Sequence, residues 1–152
     1  ESEWALLDVR INNFEAFKDV YGFVAGDDVV RFAAMLIGEV VDELGTTSDF
    51  IGHAGGDNFI IITTNDAAPA IRQRLKDRFA TEVLSHYNFI DRQQGFIQAP
   101  TAEGGVEKVG FMTLAAGLVS PNLQSFADIR EITELAAEAR RQDAASNTPP
   151  AA

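Results

Sequence analysis

Apolar residues recur along the chain with two different periods, and the change between them predicts a mixed helix and strand fold. Residues 4–11 form an apolar run interrupted by Asp8 and Arg10, which is typical of a central strand with its polar side chains on one face. Two further β-branched and aromatic runs flank a pair of glycines within residues 50–62, and this arrangement predicts a β-hairpin. Asp8 and Arg10 are therefore expected to point the same way, toward the end of their strand.

Four segments place apolar residues at helical spacing, and each is expected to bury one face. The predicted helices are a short one capped by Asn13 and ended by Tyr21-Gly22, a long one from Asp27 or Asp28 to about Leu44, one from Asn65 or Asp66 to about Tyr87, and one from Ser125 to about Gln142. The other predicted elements are a short hairpin with its turn at 91–95, a Gly-rich loop over 101–107 and an interior strand from Val109 to Val119. Because strand pairs arrive adjacent in the sequence, the chain is predicted to be an α+β protein with a central, mostly antiparallel sheet and flanking helices.

Composition narrows the classes of function. With 152 residues and 46% hydrophobic content, the chain suits one domain with a buried core. A formal net charge of −11 argues against a nucleic-acid partner or an anionic membrane surface, because phosphate groups would be repelled. The lack of cysteine excludes disulfides and thiolate metal sites, and no apolar run approaches the ~18 residues of a membrane span. These features lead us to expect a cytoplasmic protein without membrane insertion.

The expected domain organisation is one folded domain over residues 1–142 and a disordered tail over residues 143–152. The tail is too polar and too rich in alanine to bury a core of its own. The chain begins at Glu1, without methionine, directly before a strand-like segment. We therefore expect a domain excised from a longer protein.

The tip of the first predicted hairpin carries the main candidate chemistry, Gly55-Gly56-Asp57-Asn58-Phe59. Two adjacent glycines permit positive φ angles and let a ligand approach the backbone, because no Cβ is in the way. Asp57 would then stand beside exposed backbone N–H groups, where a carboxylate binds a metal or orients a phosphate. An ordinary hairpin with a polar tip is the alternative that these residues alone leave open, since Gly-Gly-Asp is common turn chemistry.

The same residues resemble the signature loop of the GGDEF family, the diguanylate cyclase domains that make cyclic di-GMP from two GTP. The resemblance covers roughly residues 4–142 and includes the first sequence block of the family, here Asn13-Phe14, Asp19, Tyr21-Gly22 and Gly26-Asp27. It implies a nucleotidyl-cyclase fold with a ferredoxin-like βαββαβ core and a small additional β-hairpin. It also implies a reaction in which a ribose 3′-hydroxyl attacks an α-phosphate, with two Mg²⁺ ions held by carboxylates and two domains meeting face to face.

Alignment to the family places substitutions at the metal-binding positions. Arg10 stands at the metal aspartate of the first strand, where a guanidinium repels Mg²⁺, and Asn12 stands at the next aspartate. In the signature, Asp57 keeps the metal carboxylate, whereas Asn58 replaces the fourth-position glutamate and offers neither negative charge nor a useful base. Asp8 lies on the same strand face, but it would have to move about 7 Å along the strand to replace the missing ligand.

The resemblance also implies altered nucleotide contacts. Glu15 stands at a phosphate-contacting lysine, and Lys18 stands at a guanine-contacting asparagine. A C-terminal phosphate-contacting lysine aligns with Ala144, and Arg140 or Arg141 is the nearest substitute. The positions that keep family residues at this vestigial nucleotide site are Phe14, Asp27, Gly55 and Gly56.

The family's inhibitory product site is an R-x-x-D motif before the signature. Its aspartate is Asp49 here, but Thr46 stands at the arginine position. Without a bidentate guanidinium, we expect weak binding of cyclic di-GMP at this remnant, or none.

A simple replacement for the lost metal is available within the chain. If Arg10 faces Asp57 across the signature loop, a fixed cation takes the place of a bound one. We therefore hypothesise an Arg10–Asp57 contact at the former metal position.

Together these substitutions predict a degenerate GGDEF domain of a bacterial signalling protein, catalytically inactive and acting as a regulatory or interaction module. The expected partners are an upstream sensor or receiver domain of the same protein, as in a response regulator, and a second GGDEF-like domain or another protein. No cofactor is expected, apart from Mg²⁺ if GTP binds. A GTP-binding sensor without turnover and a divergent active diguanylate cyclase are the two alternatives.

Overall fold

The computed structural model of this protein describes residues 3–120 and 137–144. Its strands are β1 (Trp4–Asn12), β2 (Phe50–Gly55), β3 (Asn58–Thr64), β4 (Ile97–Pro100), β5 (Val106–Val109) and β6 (Thr113–Val119). Its helices are α1 (Phe14–Tyr21), α2 (Phe23–Leu44), α3 (Ala68–Glu82), α4 (Phe89–Gln94) and α5 (residues 137–144), and a 3-10 turn over Val83–His86 extends α3. Among the helices of these two described ranges, none is long and apolar enough to cross a membrane.

The main sheet has the strand order β2-β3-β1-β6, and every neighbouring pair is antiparallel. With β1 in the interior and β6 reached last, this is the arrangement of a ferredoxin-like βαββαβ core. A separate antiparallel pair, β4-β5, forms the small additional hairpin. The predicted α+β class with a central antiparallel sheet and flanking helices is confirmed.

The two faces of β1 have different surroundings. Leu7, Val9 and Ile11 belong to the main core, where they pack with buried residues of α1, α2 and α3. Leu6 belongs to a smaller apolar cluster on the opposite face of the sheet. Because side chains alternate along a strand, Asp8 lies on the face of Leu6, away from the main core. This alternation places polar residues of β1 beside the signature hairpin.

Glycine and asparagine set the boundaries of the first two helices. Gly22, at φ 97°, separates α1 from α2, as predicted, but α2 begins at Phe23 rather than at Asp27 or Asp28. Asn13 occupies the predicted N-cap position of α1, but its side chain makes no capping hydrogen bond. Asn13 adopts a left-handed conformation (φ 64°), and its side-chain amide donates instead to the carbonyl oxygens of Gly110 and Phe111 at 3.3 and 3.4 Å. It therefore fastens the β1–α1 junction to the segment before β6.

The hairpin predicted around residues 91–95 is wrong, because this segment forms helix α4. The side chain of Asn88 accepts a hydrogen bond from the backbone N–H of Asp91 at 2.8 Å, and Gly95 takes a left-handed conformation at the C-terminus. An asparagine N-cap and a following glycine are standard helix boundaries and outweigh the apolar pairs on either side. The hairpin in this region is β4-β5, whose strands flank residues 101–105.

In the described residues, α5 continues two residues past the predicted boundary at residue 142, to Ala144. The structure places Asp143 and Ala144 in α5, and Asp143 is buried at 9% exposure, so the tail does not begin at Asp143. The physical reason is an ion pair: Asp143 contacts Arg72 and Lys76 on α3. Most of the helix predicted from Ser125, up to residue 136, and the tail from residue 145 lie outside the described residues.

His86, at the end of the 3-10 turn, makes stability depend on pH. Its ring centroid lies 5.2 Å from that of Phe32, and burial lowers the pKa of His86 below its usual value. The unfolded chain therefore takes up this proton at a higher pH than the folded chain, so stability falls as the pH is lowered through about 6.5. The variant His86→Gln is expected to flatten this part of the stability curve. Urea unfolding of both proteins at about pH 7.5 and pH 5.5 measures the effect, and parallel curves would contradict it.

Candidate signature site

The signature hairpin joins β2 to β3 through an irregular turn. The register between the strands shifts between His53 and Gly55, and both glycines have positive φ angles, 113° at Gly55 and 53° at Gly56. His53 lies within the hairpin, with Nε2 2.7 Å from the carbonyl oxygen of Gly56 and its ring stacked on Phe59 at 4.6 Å. No heavy atom lies within 4 Å of a Cβ built at either glycine. The turn conformation therefore requires glycine at both positions, and His53 contacts Gly56 and Phe59 within the hairpin.

The structure brings Arg10 and Asp57 together at the tip of the hairpin. Arg10 pairs in register with Asn58, and its Nε lies 3.9 Å from Oδ1 of Asp57. The side chains are 46% and 24% exposed, so the pair is loose and partly solvated. Such a pair contributes about 0–1 kcal/mol to stability. Its importance is chemical, because a permanent cation now stands beside the remaining signature carboxylate.

Asp8 is engaged elsewhere and is not free to replace the missing metal ligand. It is 4% exposed, and both of its carboxylate oxygens lie 3.0 Å from Nη1 of Arg140 on α5. Asn58 Nδ2 donates to Asp8 Oδ1 at 2.6 Å and to the backbone carbonyl of Val9 at 2.9 Å. Asn58 therefore acts as a donor toward β1 rather than as a ligand toward the cleft.

These residues do not fit the magnesium pair that the family implies. Asp57 is a half-buried carboxylate at the tip of the signature, and Arg10, which the resemblance implies at a metal-ligand position, lies beside it. Across the part of the chain that the structure describes, no group of three or more His, Cys, Asp or Glu side chains is placed to hold a metal ion. Hard cations such as Mg²⁺ require several oxygen ligands and exclude an adjacent guanidinium. No catalytic step through a metal follows from this arrangement.

A cleft of about 550 Å³ lies beside the signature, between the β1–α1 junction and β5. Its charged lining is one cation, Arg10, and three acids, Glu15, Asp57 and Glu107. Lys18 offsets one of these acids from outside the lining, because its Nζ lies 3.0 Å from Glu15. A triphosphate entering this cleft would meet an excess of negative charge, since Arg10 is already paired.

Lys18 and Asp27, which the resemblance implies at guanine-contacting positions, are engaged in contacts with nearby residues of α1 and α2. The Lys18 ammonium lies 5.0 Å from the ring centroid of Phe14, and its alkyl chain lies against Gly26, where a Cβ would meet Lys18 Cγ at 2.5 Å. Asp27 pairs along its own helix with Arg31 at 3.0 Å. Lys18 thus fills the space between α1 and α2, and neither Lys18 nor Asp27 lines the cleft.

Asp49, which the resemblance implies at the inhibitory product site, instead makes hydrogen bonds that hold its own loop. The carboxylate of Asp49 accepts hydrogen bonds from the backbone N–H of Thr46 at 2.9 Å, from the Thr46 hydroxyl at 2.6 Å and from the Thr63 hydroxyl at 2.8 Å. These contacts connect the loop after α2 to β3. The group that would bind a nucleotide in the family is therefore used here to hold the loop.

A methyl group at Gly45 is expected to break this loop contact. A Cβ built at Gly45 would lie 2.0 Å from Asp49 Oδ2 and 2.7 Å from the carbonyl oxygen of Val41. Because the carbonyl belongs to the backbone of α2, Gly45→Ala should lower the free energy of unfolding by about 1–3 kcal/mol. The control is Gly38→Ala in the same helix, where no atom lies within 4 Å and alanine should stabilise by up to about 1 kcal/mol. Equal urea midpoints for the two variants would contradict the steric argument.

The contacts of Arg140 and Asp143 could not be found by sequence reasoning. The resemblance makes Arg140 or Arg141 the nearest substitute for a phosphate-contacting lysine, but neither residue lines the cleft. Arg140 pairs with Asp8, and Arg141 pairs with Glu138 on its own helix. The one available signal was the unusual position of Asp8 within an apolar strand, which requires a partner when buried.

Comparisons with known proteins agree with the fold and the signature. Residues 1–100 match the family model described as Diguanylate cyclase, GGDEF domain. A diguanylate cyclase of Vibrio cholerae serotype O1 (strain ATCC 39541 / Classical Ogawa 395 / O395) is 31% identical over 85 residues, which are 54% of this chain and 25% of that protein. The signaling protein YkoW of Bacillus subtilis (strain 168) is 40% identical over 55 residues, which are 36% of this chain and 6% of that protein.

Solved structures share the same architecture. The active GGEEF domain of a diguanylate cyclase from Vibrio cholerae superposes with a TM-score of 0.67 at 22% identity, covering 97% of this chain and 80% of that one. At this identity the likeness concerns the fold, whereas the chemistry depends on the side chains that this chain carries at the signature.

Proposed function

This chain belongs to the GGDEF family of diguanylate cyclase domains, and we propose that it is a catalytically inactive member that acts as a regulatory and interaction module in cyclic di-GMP signalling. The observation that carries the proposal is the contact of Arg10 Nε with Asp57 Oδ1 at 3.9 Å, since the family resemblance places Arg10 at the metal-aspartate position. Cyclase chemistry needs carboxylates there to hold Mg²⁺ against the transferring phosphate. In this chain a guanidinium replaces one carboxylate, and Asn58 replaces another.

The expected loss of transition-state stabilisation is large enough to support an inactive domain rather than a slow enzyme. Removal of a single electrostatic contact to a transition state typically costs about 3–4 kcal/mol, or two to three powers of ten in rate. Here the family's metal carboxylate is replaced by Arg10, its fourth-position acid by Asn58 and a phosphate-contacting lysine by Glu15. Such effects are not additive, but even two of them remove most of the acceleration. Asp8 does not compensate, because it is buried against Arg140.

A GTP-binding sensor without turnover is the second candidate, and the open cleft of about 550 Å³ lined by Phe14 and Asp57 favours it. The charge of the cleft opposes it, since Glu15 stands where the family has a lysine. Mg²⁺ would accompany GTP in this case. A divergent active cyclase would require Asp8 to leave Arg140.

An inactive module exerts its effect through its neighbours. We propose that the domain works with a sensor or receiver domain of the same protein and pairs with a second GGDEF-like domain or with another protein. Apolar side chains exposed at the starts of α2 and α4 support a role in association, because Phe23 and Val24 are 79% and 74% exposed, and Phe89 and Ile90 are 66% and 71% exposed.

Calorimetric titration of GTP with MgCl₂ into the purified chain tests the choice between these functions. The interaction module is expected to give no binding heat. Saturable heat would favour the sensor, and Arg10→Ala should then tighten binding of magnesium-bound GTP if the guanidinium excludes the metal. The matched control is Arg74→Ala, because Arg74 is 44% exposed, close to the 46% of Arg10, and lies outside the cleft lining.

A further inference from the structure

The C-terminal helix α5 is attached to the domain through charged residues. Along residues 137–144, the buried side chains are Arg140 and Asp143, at 7% and 9% exposure, and the others are exposed or half-buried. A helix usually binds its domain through an apolar stripe. In its described part, α5 instead buries two opposite charges.

Each buried charge contacts a different part of the domain. Arg140 lies 3.0 Å from both carboxylate oxygens of Asp8 on β1. Asp143 contacts the guanidinium of Arg72 and, at 2.7 Å, the ammonium of Lys76, both on α3. It also accepts a hydrogen bond from a backbone N–H of the edge strand β6 at 2.9 Å. The helix is therefore held at two points, one beside the signature hairpin and one at the edge of the sheet.

The first attachment point reaches the signature through one more hydrogen bond. Asp8 Oδ1 accepts from Arg140 at 3.0 Å and from Asn58 at 2.6 Å. The three side chains thus form a continuous polar chain from α5 to the first residue of β3. If Arg140 leaves, the Asp8 carboxylate loses its counter-charge and becomes hydrated, so its hydrogen bond to Asn58 weakens and the carbonyl of Val9 is left as the fixed acceptor of that amide.

We propose that α5 is a releasable latch, and that its release is transmitted to the signature hairpin through Asp8 and Asn58. Buried ion pairs specify position but contribute little net stability, because desolvation offsets their attraction. A segment with few buried apolar contacts opens at a lower free energy than the core strands. A partner that binds or pulls α5 would therefore shift the start of β3 from a state anchored through Asp8 to one held by its backbone pairing with β1 and by the Val9 carbonyl. This coupling does not depend on whether the domain binds GTP.

Hydrogen–deuterium exchange of the unmodified 152-residue chain tests the latch. Backbone amides of residues 137–144 are expected to exchange at least about ten-fold faster than those of the central strand β1, because α5 opens without global unfolding. In low urea, opening of α5 should coincide with a change in the NMR signal of the Asn58 side-chain amide. Exchange of α5 and β1 at one common rate would overturn the proposal, because no separate opening of α5 would exist.

Two variants and a control test the coupling. Arg140→Ala is expected to speed exchange about ten-fold or more in α5 and also in residues 52–60. The double variant Asp8→Leu with Arg140→Leu replaces the ion pair by apolar contact, and it should slow the exchange of α5 while the Asn58 signal moves to its free position. Arg141→Ala, on the exposed side of the same helix, should change neither segment. Faster exchange in α5 with no change in residues 52–60 or in the Asn58 signal would overturn the coupling.

Discussion

Replacing Asp8 by asparagine is expected to lower the free energy of unfolding by about 3 kcal/mol or more, because Arg140 would be left buried without its counter-charge. Asp8 is 4% exposed and holds Arg140 and Asn58 at 3.0 and 2.6 Å. The matched variant Asp57→Asn should cost less than about 1 kcal/mol, because its contact with Arg10 is long and partly solvated.

Urea unfolding of the two asparagine variants at the same pH gives this comparison directly. The signature carboxylate, which the family resemblance assigns to a metal, is peripheral here, whereas Asp8, which lies off the family's metal position, is structural. If Asp57→Asn were the more damaging change, Asp57 would have a buried partner that the described geometry does not give it.

Restoring the family's acids is expected to make folding depend on magnesium. The double variant Arg10→Asp with Asn58→Glu puts one new carboxylate beside Asp57 and another beside Asp8. Repulsion between these acids should lower the melting temperature in the absence of Mg²⁺. Added MgCl₂ should then raise it, because a ligand at about a hundred times its Kd stabilises by about 2.7 kcal/mol, or several degrees for a chain of this size. The unmodified protein should show no such rise.

Thermal unfolding with and without MgCl₂, against CaCl₂ as a second hard cation, measures this dependence. The single variant Asn58→Glu is the control, because Arg10 stays in place and should still exclude the ion. An equal rise in the unmodified protein would mean that Arg10 does not block the site.

Local patterns predicted the framework of this domain. The alternation around Asp8 and Arg10 identified β1 and the face that its polar side chains share. The glycine pair located the β2–β3 hairpin, and Tyr21-Gly22 located the break between α1 and α2. These features depend on a few neighbouring residues, whose conformational preferences act without long-range partners.

The errors arose where a local preference competed with another contact. Asn13 is a good N-cap residue, but its amide satisfies two carbonyl groups before β6 instead. The segment after Asn88 was assigned to a hairpin from its apolar pairs, although the asparagine cap and Gly95 mark a helix. Asp143 was assigned to a tail from composition, and two cations on α3 hold it in place.

The contact that decides the role of Asp8 could not be predicted from local pattern. Asp8 and Arg140 are 132 positions apart, and no periodicity relates them. The family resemblance predicts substitutions at Arg10 and Asn58 from alignment alone, and these stay predictions. It gave no information on Arg140, whose place beside Asp8 depends on the packing of α5.

The measurement that tests the central claim most directly is chromatography of the chain after incubation with GTP and MgCl₂, and separately with MnCl₂. The active GGEEF domain from Vibrio cholerae, treated identically, shows that the assay detects turnover. An inactive domain leaves GTP unchanged and forms no cyclic di-GMP or pyrophosphate, even at high protein concentration where two domains meet. Cyclic di-GMP that increases with time and with protein concentration would contradict the account, because it would require catalysis with Arg10 at the metal position.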